Sequence, residues 1–140
     1  MKVDLTPLQT ASISLSEAVI DACDQSFMNA LTESQRKLMV AGVIQNFEFT
    51  YELSWKFMKR WLSENVGSTY VDGVSRRELF RLAAEHQLIE SVDEWMFYHT
   101  ARNQTSHSYD EKIALEIFDA AKKFSVLAAQ LLKILEAKND

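Results

Sequence analysis

The chain has 140 residues, 47% hydrophobic and 25% charged, with a formal net charge of -5. That length suits one packed domain over residues 1–140 and is too short for two, and the acidic balance excludes a protein that coats nucleic acid non-specifically, because phosphate neutralisation needs a basic surface. A single cysteine, Cys23, excludes an intrachain disulfide framework. No stretch approaches the ~20 apolar residues of a membrane span, and the start lacks the apolar run of a signal peptide, so the expected location is the cytoplasm, away from any membrane.

Three glycines and one proline leave few breakers, which predicts long helices. Five helix starts carry the same device, a Ser or Thr followed three residues later by Glu or Gln, each side chain covering an orphan N–H of the other. They are Thr6 with Gln9, Thr32 with Gln35, Ser75 with Glu78, Ser91 with Glu94 and Ser108 with Glu111, and Pro7 occupies the favoured first helical position.

The first helix is expected from Pro7 to Asn29, burying Leu8, Ala11, Leu15, Ala18, Ala22 and Phe27. Cys23 reads as a small core residue. The second is expected from Glu33 to Val66, with Val40, Ile44, Phe47, Tyr51, Trp55, Met58 and Leu62 at steps of three and four and Gly67 closing it. At 1.5 Å per residue it is roughly 50 Å long, so the third and fourth helices are expected end to end along what the first leaves uncovered. The third runs from Arg76 to Gln87 and the fourth from Val92 to Thr105, where Trp95-Met96-Phe97-Tyr98 is apolar almost all round. The fifth runs from Tyr109 to Ala137 with Ile113, Ile117, Ala120, Phe124, Leu127, Leu131 and Leu135 on one side, and Lys138 to Asp140 should fray. The expected fold is all-α, an antiparallel up-and-down helical bundle.

The charge is uneven. Residues 1–33 hold one basic and five acidic side chains, whereas residues 54–81 hold six basic and three acidic. His86, His99 and His107 are too scattered for a helical ligand pair, and one cysteine gives no thiolate cluster, so no metal site is expected. Glu48, Glu52 and Lys56 read as a ladder of charges four residues apart on one helix. There is no phosphate-cradling glycine loop, and nothing calls for a cofactor.

The chemistry concentrates in Ala101-Arg102-Asn103-Gln104-Thr105-Ser106-His107-Ser108-Tyr109-Asp110. Arginine grips phosphate through a planar fork of donors, and histidine can give or take a proton near neutral pH. On one continuous helix Arg102 and His107 would point about 140° apart. A joint site therefore needs the helix to end between them, or two chains to pool their copies. With Ser108 as N-cap, the free N–H groups of the fifth helix would favour an anion beside His107, although Asp110 and Glu111 put negative charge in the same turn. The same residues also suit a purely structural corner, with Arg102 complementing the end of its helix and His107 and Tyr109 filling the junction.

Arg102-x4-His107-Ser108-Tyr109 resembles the Arg-x4-His-x-Tyr motif of HEPN toxins that pair with minimal nucleotidyltransferases. Phe47-Glu48-Phe49-Thr50-Tyr51-Glu52-Leu53-Ser54-Trp55-Lys56 looks like the second-helix signature of the same proteins, also described as nucleotidyltransferase substrate-binding subunits. The resemblance implies a four-helix bundle with one additional short helix. It implies a homodimer in which two Arg-x4-His segments share one cleft that cuts RNA without a metal. Carried over, His107 would be the general acid/base and Arg102 would stabilise the charge on phosphorus. Asn103 would position chain or substrate. Tyr109 would receive adenylate from ATP through the partner nucleotidyltransferase, which would block the cleft. The resemblance equally admits a non-catalytic subunit that presents substrate to that partner.

Overall fold

The computed structural model describes residues 3–139. In chain order the elements are α1 (Thr6–Cys23), α2 (Gln25–Asn29), α3 (Glu33–Leu62), a π-helical turn (Ser63–Gly67), α4 (Ser68–Val71), α5 (Arg76–Glu85), α6 (Val92–Asn103), a 3-10 turn (Gln104–His107) and α7 (Glu111–Lys138). The described residues contain no strand.

The capping signals explain most of the starts. Thr32 and Gln35 form the full reciprocal box, and Ser75 and Ser91 each accept a backbone N–H from the residue three ahead. The cap expected at Thr6 does not form, Leu5 standing at the N-cap position without a side-chain bond, and the cap expected at Ser108 is replaced. Asp4 Oδ1 takes the N–H of Thr6, which already lies inside α1. Asp110, and not Ser108, caps α7, its Oδ1 accepting from Lys112 N at 3.0 Å and Ile113 N at 3.2 Å. A carboxylate gains from the positive end of the helix as well as from the hydrogen bond, which a serine hydroxyl does far less.

The single first helix expected from Pro7 to Asn29 is broken at Asp24, whose carboxylate caps α2 by accepting from Phe27 N at 3.1 Å. Phe27 and Cys23 are consequently exposed, so neither is the core residue that its spacing suggested. Gly67 ends the α3 region with φ +127°, a value that residues with a Cβ rarely adopt.

Helix directions follow from side-chain contacts. Thr50 Oγ1 donates to Ala11 O at 3.1 Å and Ser14 Oγ donates to Asn46 Oδ1 at 2.7 Å, so α1 and α3 run antiparallel. His99 meets Tyr51 and Arg102 reaches back to Glu48, so α6 is antiparallel to α3 too. The last helix returns beside the chain start. Asn139 accepts from Val3 N and donates to Val3 O, both at 2.8 Å, so this residue is tied down rather than frayed. The outcome is an up-down-up-down bundle of α1, α3, α6 and α7, with α5 as the additional helix. The α5–α6 pair packs side by side, Phe80 and Trp95 with ring centroids 5.7 Å apart, rather than end to end.

Phe124 of α7 is the centre of the core. Its ring lies 5.3 Å from Phe47, 6.0 Å from Tyr51, 5.4 Å from Trp95 and 5.1 Å from Tyr98, centroid to centroid. Each such aromatic pair adds about 0.5–1.5 kcal/mol beyond area burial. This cluster fixes α6 against α3 and α7, and thereby sets the corner at the end of α6.

Candidate functional site at the corner of α6 and α7

The last turn of α6 faces the middle of α3. Glu48 and Glu52 lie four residues apart on α3 and so share a face. Arg102 reaches both. Its Nε donates to Glu52 Oε1 at 3.1 Å, and its Nη2 stands 3.4 Å from Glu48 Oε1. Its Nη1 donates to Thr105 Oγ1 at 3.3 Å, and that hydroxyl donates to Arg102 O at 2.8 Å. The expected ladder of Glu48, Glu52 and Lys56 therefore does not form. A guanidinium offers five donors in a fixed fork that suits two carboxylates, whereas Lys56 stays exposed and lies over Trp55, its Nζ 5.7 Å from the ring centroid. The Arg102 side chain is 28% exposed, so the pairs are half-buried.

The helix does end between Arg102 and His107. α6 stops at Asn103, and the 3-10 turn Gln104–His107 carries the chain round to Asp110. His107 is exposed, and its ring stands edge-on to Tyr109 with centroids 6.2 Å apart. Tyr109 is 85% exposed. It lies in the turn before α7 and is not that helix's first residue. Asn103 is exposed, and its carbonyl accepts from Ser106 Oγ at 3.4 Å.

A groove of about 1090 Å³ opens along the outer face of α3 beside this corner. Tyr109, Ser108 and Thr105 close one end; Ile44, Phe49, Leu53, Ala114 and Leu115 give it an apolar floor; Glu48 and Glu52 stand on its wall. Phe49 is 62% exposed there. So Glu48, Glu52, Thr105 and Tyr109 share one groove, with Arg102 behind the carboxylates and His107 against Tyr109.

A second set of groups, not expected from the sequence, lies next to Arg102. His99 lies one turn earlier on the same face of α6. Its Nδ1 is 2.8 Å from the hydroxyl of Tyr51, a residue with no solvent exposure. Burial pushes the Tyr51 phenol up to about 12, against the opposing charge and hydrogen bonding of Arg76. Burial, reinforced by the Arg76 charge, holds the His99 imidazole below its ordinary value; Glu52 works the other way, and Arg102 adds to the lowering. Arg76 lies flat on Trp55, its Cζ 3.5 Å from the ring centroid, and Trp55 Nε1 donates to Glu52 Oε2 at 3.1 Å. Glu52 thus ties Trp55 to Arg102, one oxygen each. The sequence carries one signal of this group, the three-residue spacing of His99 and Arg102 on one helix face.

Comparison with known proteins agrees with the fold. The chain is 31% identical over 140 residues to the probable ribonuclease HepT of Haemophilus influenzae, covering 99% of this chain and 96% of the relative. Its structure superposes with a TM-score of 0.92 and 30% identity on HI0074 of Haemophilus influenzae, described as having the fold of a substrate binding domain of a nucleotidyltransferase, across 95% of this chain and 99% of that one. A Thermus thermophilus protein matches with a TM-score of 0.70 and 26% identity, over 89% of this chain and 98% of that one. Residues 3–137 match the family described as nucleotidyltransferase substrate binding protein like, and the chain belongs to that family.

Proposed function

We propose that this chain is a metal-independent ribonuclease of the HEPN type, the toxin of a toxin–antitoxin pair, silenced when a partner minimal nucleotidyltransferase adenylylates Tyr109. The observation that carries this reading is the corner itself: a proton-transfer group, His107, packed against a highly exposed tyrosine, Tyr109, directly after the turn that holds Arg102. Similarity to a probable ribonuclease supports it.

His107 acts as general acid/base on the ribose 2′-hydroxyl or the leaving oxygen, a role worth about 10²–10⁴ in rate. Arg102 stabilises the charge that develops on phosphorus. Each of its three nitrogens already faces a partner, Glu52, Glu48 and Thr105, so a phosphate oxygen binds by displacing the longer Nη2 contact to Glu48 at 3.4 Å. Asn103, exposed beside it, positions substrate. The protein works as a homodimer whose two corners share a cleft, and the exposed Phe49 and Leu115 in the adjoining groove supply apolar surface for that contact. Adenylate on Tyr109 places a bulky anion against His107 and excludes RNA by size and charge. The test is cleavage of single-stranded RNA by the purified protein with chelator present: wild type cuts, and His107→Ala does not. Equal activity in both would refute the proposal.

A second function, a non-catalytic subunit presenting substrate to the nucleotidyltransferase, is favoured by one observation. Arg102 is engaged by Glu48 and Glu52, and their carboxylates line the groove and repel RNA phosphates. Tight complex formation with the partner, without nuclease activity, would select it.

A further inference from the structure

The bundle holds a second cationic feature that the proposed cleavage chemistry does not use. Arg76 is half-buried at the start of α5, and no carboxylate among the described residues stands within 4.0 Å of it. An unpaired arginine at a helix N-terminus sits where a cation is electrostatically disfavoured, because the free N–H groups there already carry positive charge. What fixes the side chain is Trp55, on whose face the guanidinium lies at 3.5 Å. Stacking of this kind uses the face of the guanidinium; part of its edge is turned to the Tyr51 hydroxyl, and the other N–H groups can still donate.

The neighbours complete the arrangement. Tyr51 and His99 are joined through the hydroxyl and Nδ1 at 2.8 Å. When the hydroxyl donates to Nδ1, the neutral ring carries its proton on Nε2 and presents that N–H away from Tyr51. The lowered affinity of His99 for a second proton favours this neutral form. His99 in turn lies one helical turn, about 5 Å along the axis, before Arg102 on α6. Arg76 and His99 thus both stand beside Tyr51, with Arg102 the next group along α6 and the Glu52 carboxylate among them.

We infer that Arg76 and His99 form a phosphate-binding subsite for single-stranded RNA, holding a phosphodiester adjacent to the one at the Arg102–His107 corner. This rests on the ribonuclease reading for its role, though not for its binding. Arg76 is the substrate-contacting cation, Trp55 keeps its fork flat and aimed, and Tyr51 sets the His99 tautomer. The subsite offers a fixed fork and a neutral donor where Glu48 and Glu52 otherwise make the neighbouring surface acidic, so it supplies the electrostatic hold that the net charge of -5 withholds from the rest of the molecule.

The experiment measures binding of a labelled single-stranded RNA against salt concentration in the uncut His107→Ala background, alongside cleavage kinetics in the wild-type background. Arg76→Gln is expected to weaken binding about tenfold whatever the sequence and to flatten the plot of log K against log salt by about 0.7. In cleavage it should raise KM by a similar factor and leave kcat within about twofold. Arg76→Lys keeps the charge and loses the flat stack, so the salt slope should hold while KM still rises. A merely structural Arg76 would lower the melting temperature and leave the salt slope alone. Wild-type affinity and slope in Arg76→Gln, unchanged KM in Arg76→Lys, or no RNA binding by the His107→Ala protein would each overturn the subsite. Slope loss in a protein that never cuts RNA would keep the subsite and discard the ribonuclease.

Discussion

Glu52 receives Arg102 Nε on one carboxylate oxygen and Trp55 Nε1 on the other, each at 3.1 Å. One side chain of α3 thereby sets the orientation of the guanidinium at the corner and of the indole beneath Arg76. Glu52→Gln keeps the shape and removes the charge. The expected cost is about 1 kcal/mol, because the Arg102 pair is half-exposed, seen as a melting temperature lower by about 3 °C. Cleavage should fall about tenfold through a misaimed Arg102. A variant with normal kcat would show that Arg102 needs no positioning by α3.

Stability and activity should separate cleanly at this corner. His107 and Tyr109 are exposed and bury little, so His107→Ala and Tyr109→Phe should each stay within about 0.5 kcal/mol of wild type in denaturant unfolding. Phe124 lies at the centre of four aromatic contacts and is fully buried. Phe124→Ala should lose about 3–5 kcal/mol. A large stability loss in His107→Ala would make it a structural residue and nothing more.

The Tyr51–His99 pair predicts a pH signature. The folded-state value of His99 is lowered, so below about pH 6.5 the unfolded chain binds more protons there than the folded one. This contribution to stability is complete above the unfolded value and is lost as pH falls below it. Tyr51 behaves oppositely. Its value is raised to about 12, so its contribution is complete below about pH 10 and lost between there and 12. Melting temperatures of His99→Gln should show a shallower acid slope than wild type between about pH 7 and 5. Identical slopes would mean that His99 titrates as it does in the unfolded chain.

The proposed dimer also has a direct consequence. Phe49 is 62% exposed in the apolar groove that ends at Tyr109. Phe49→Glu should yield a monomer in sedimentation, with stability to urea little changed and RNA cleavage lost. A Phe49→Glu protein that still cuts RNA at wild-type rate would show that one subunit suffices.

Local chemistry made much of this fold legible in advance. Thr32, Ser75 and Ser91 mark helix starts because each covers an N–H that no other group can reach, and such short-range bonds are written in the sequence. Asp24 and Asp110 were harder to read. Each competes with a serine, a threonine or a continuing apolar stripe, and only the packed chain decides which acceptor wins. The corner residues Arg102, His107 and Tyr109 were visible as a motif, but the partners of Arg102 were not. Glu48, Glu52 and Lys56 stand at steps of four and suggest a ladder along α3, whereas the turn of both carboxylates towards α6 depends on a contact some 50 residues away in sequence. Arg76 and His99 escaped for the same reason: neither has a neighbour in sequence that hints at Trp55 or Tyr51.

The most direct measurement takes one sample of the purified protein through incubation with its nucleotidyltransferase and ATP, recording intact mass and RNA cleavage together. The account predicts a mass gain of adenylate with cleavage falling in proportion, and, in Tyr109→Phe, no gain and full activity. Undiminished cleavage at full mass gain, or a gain that persists in Tyr109→Phe, would contradict it.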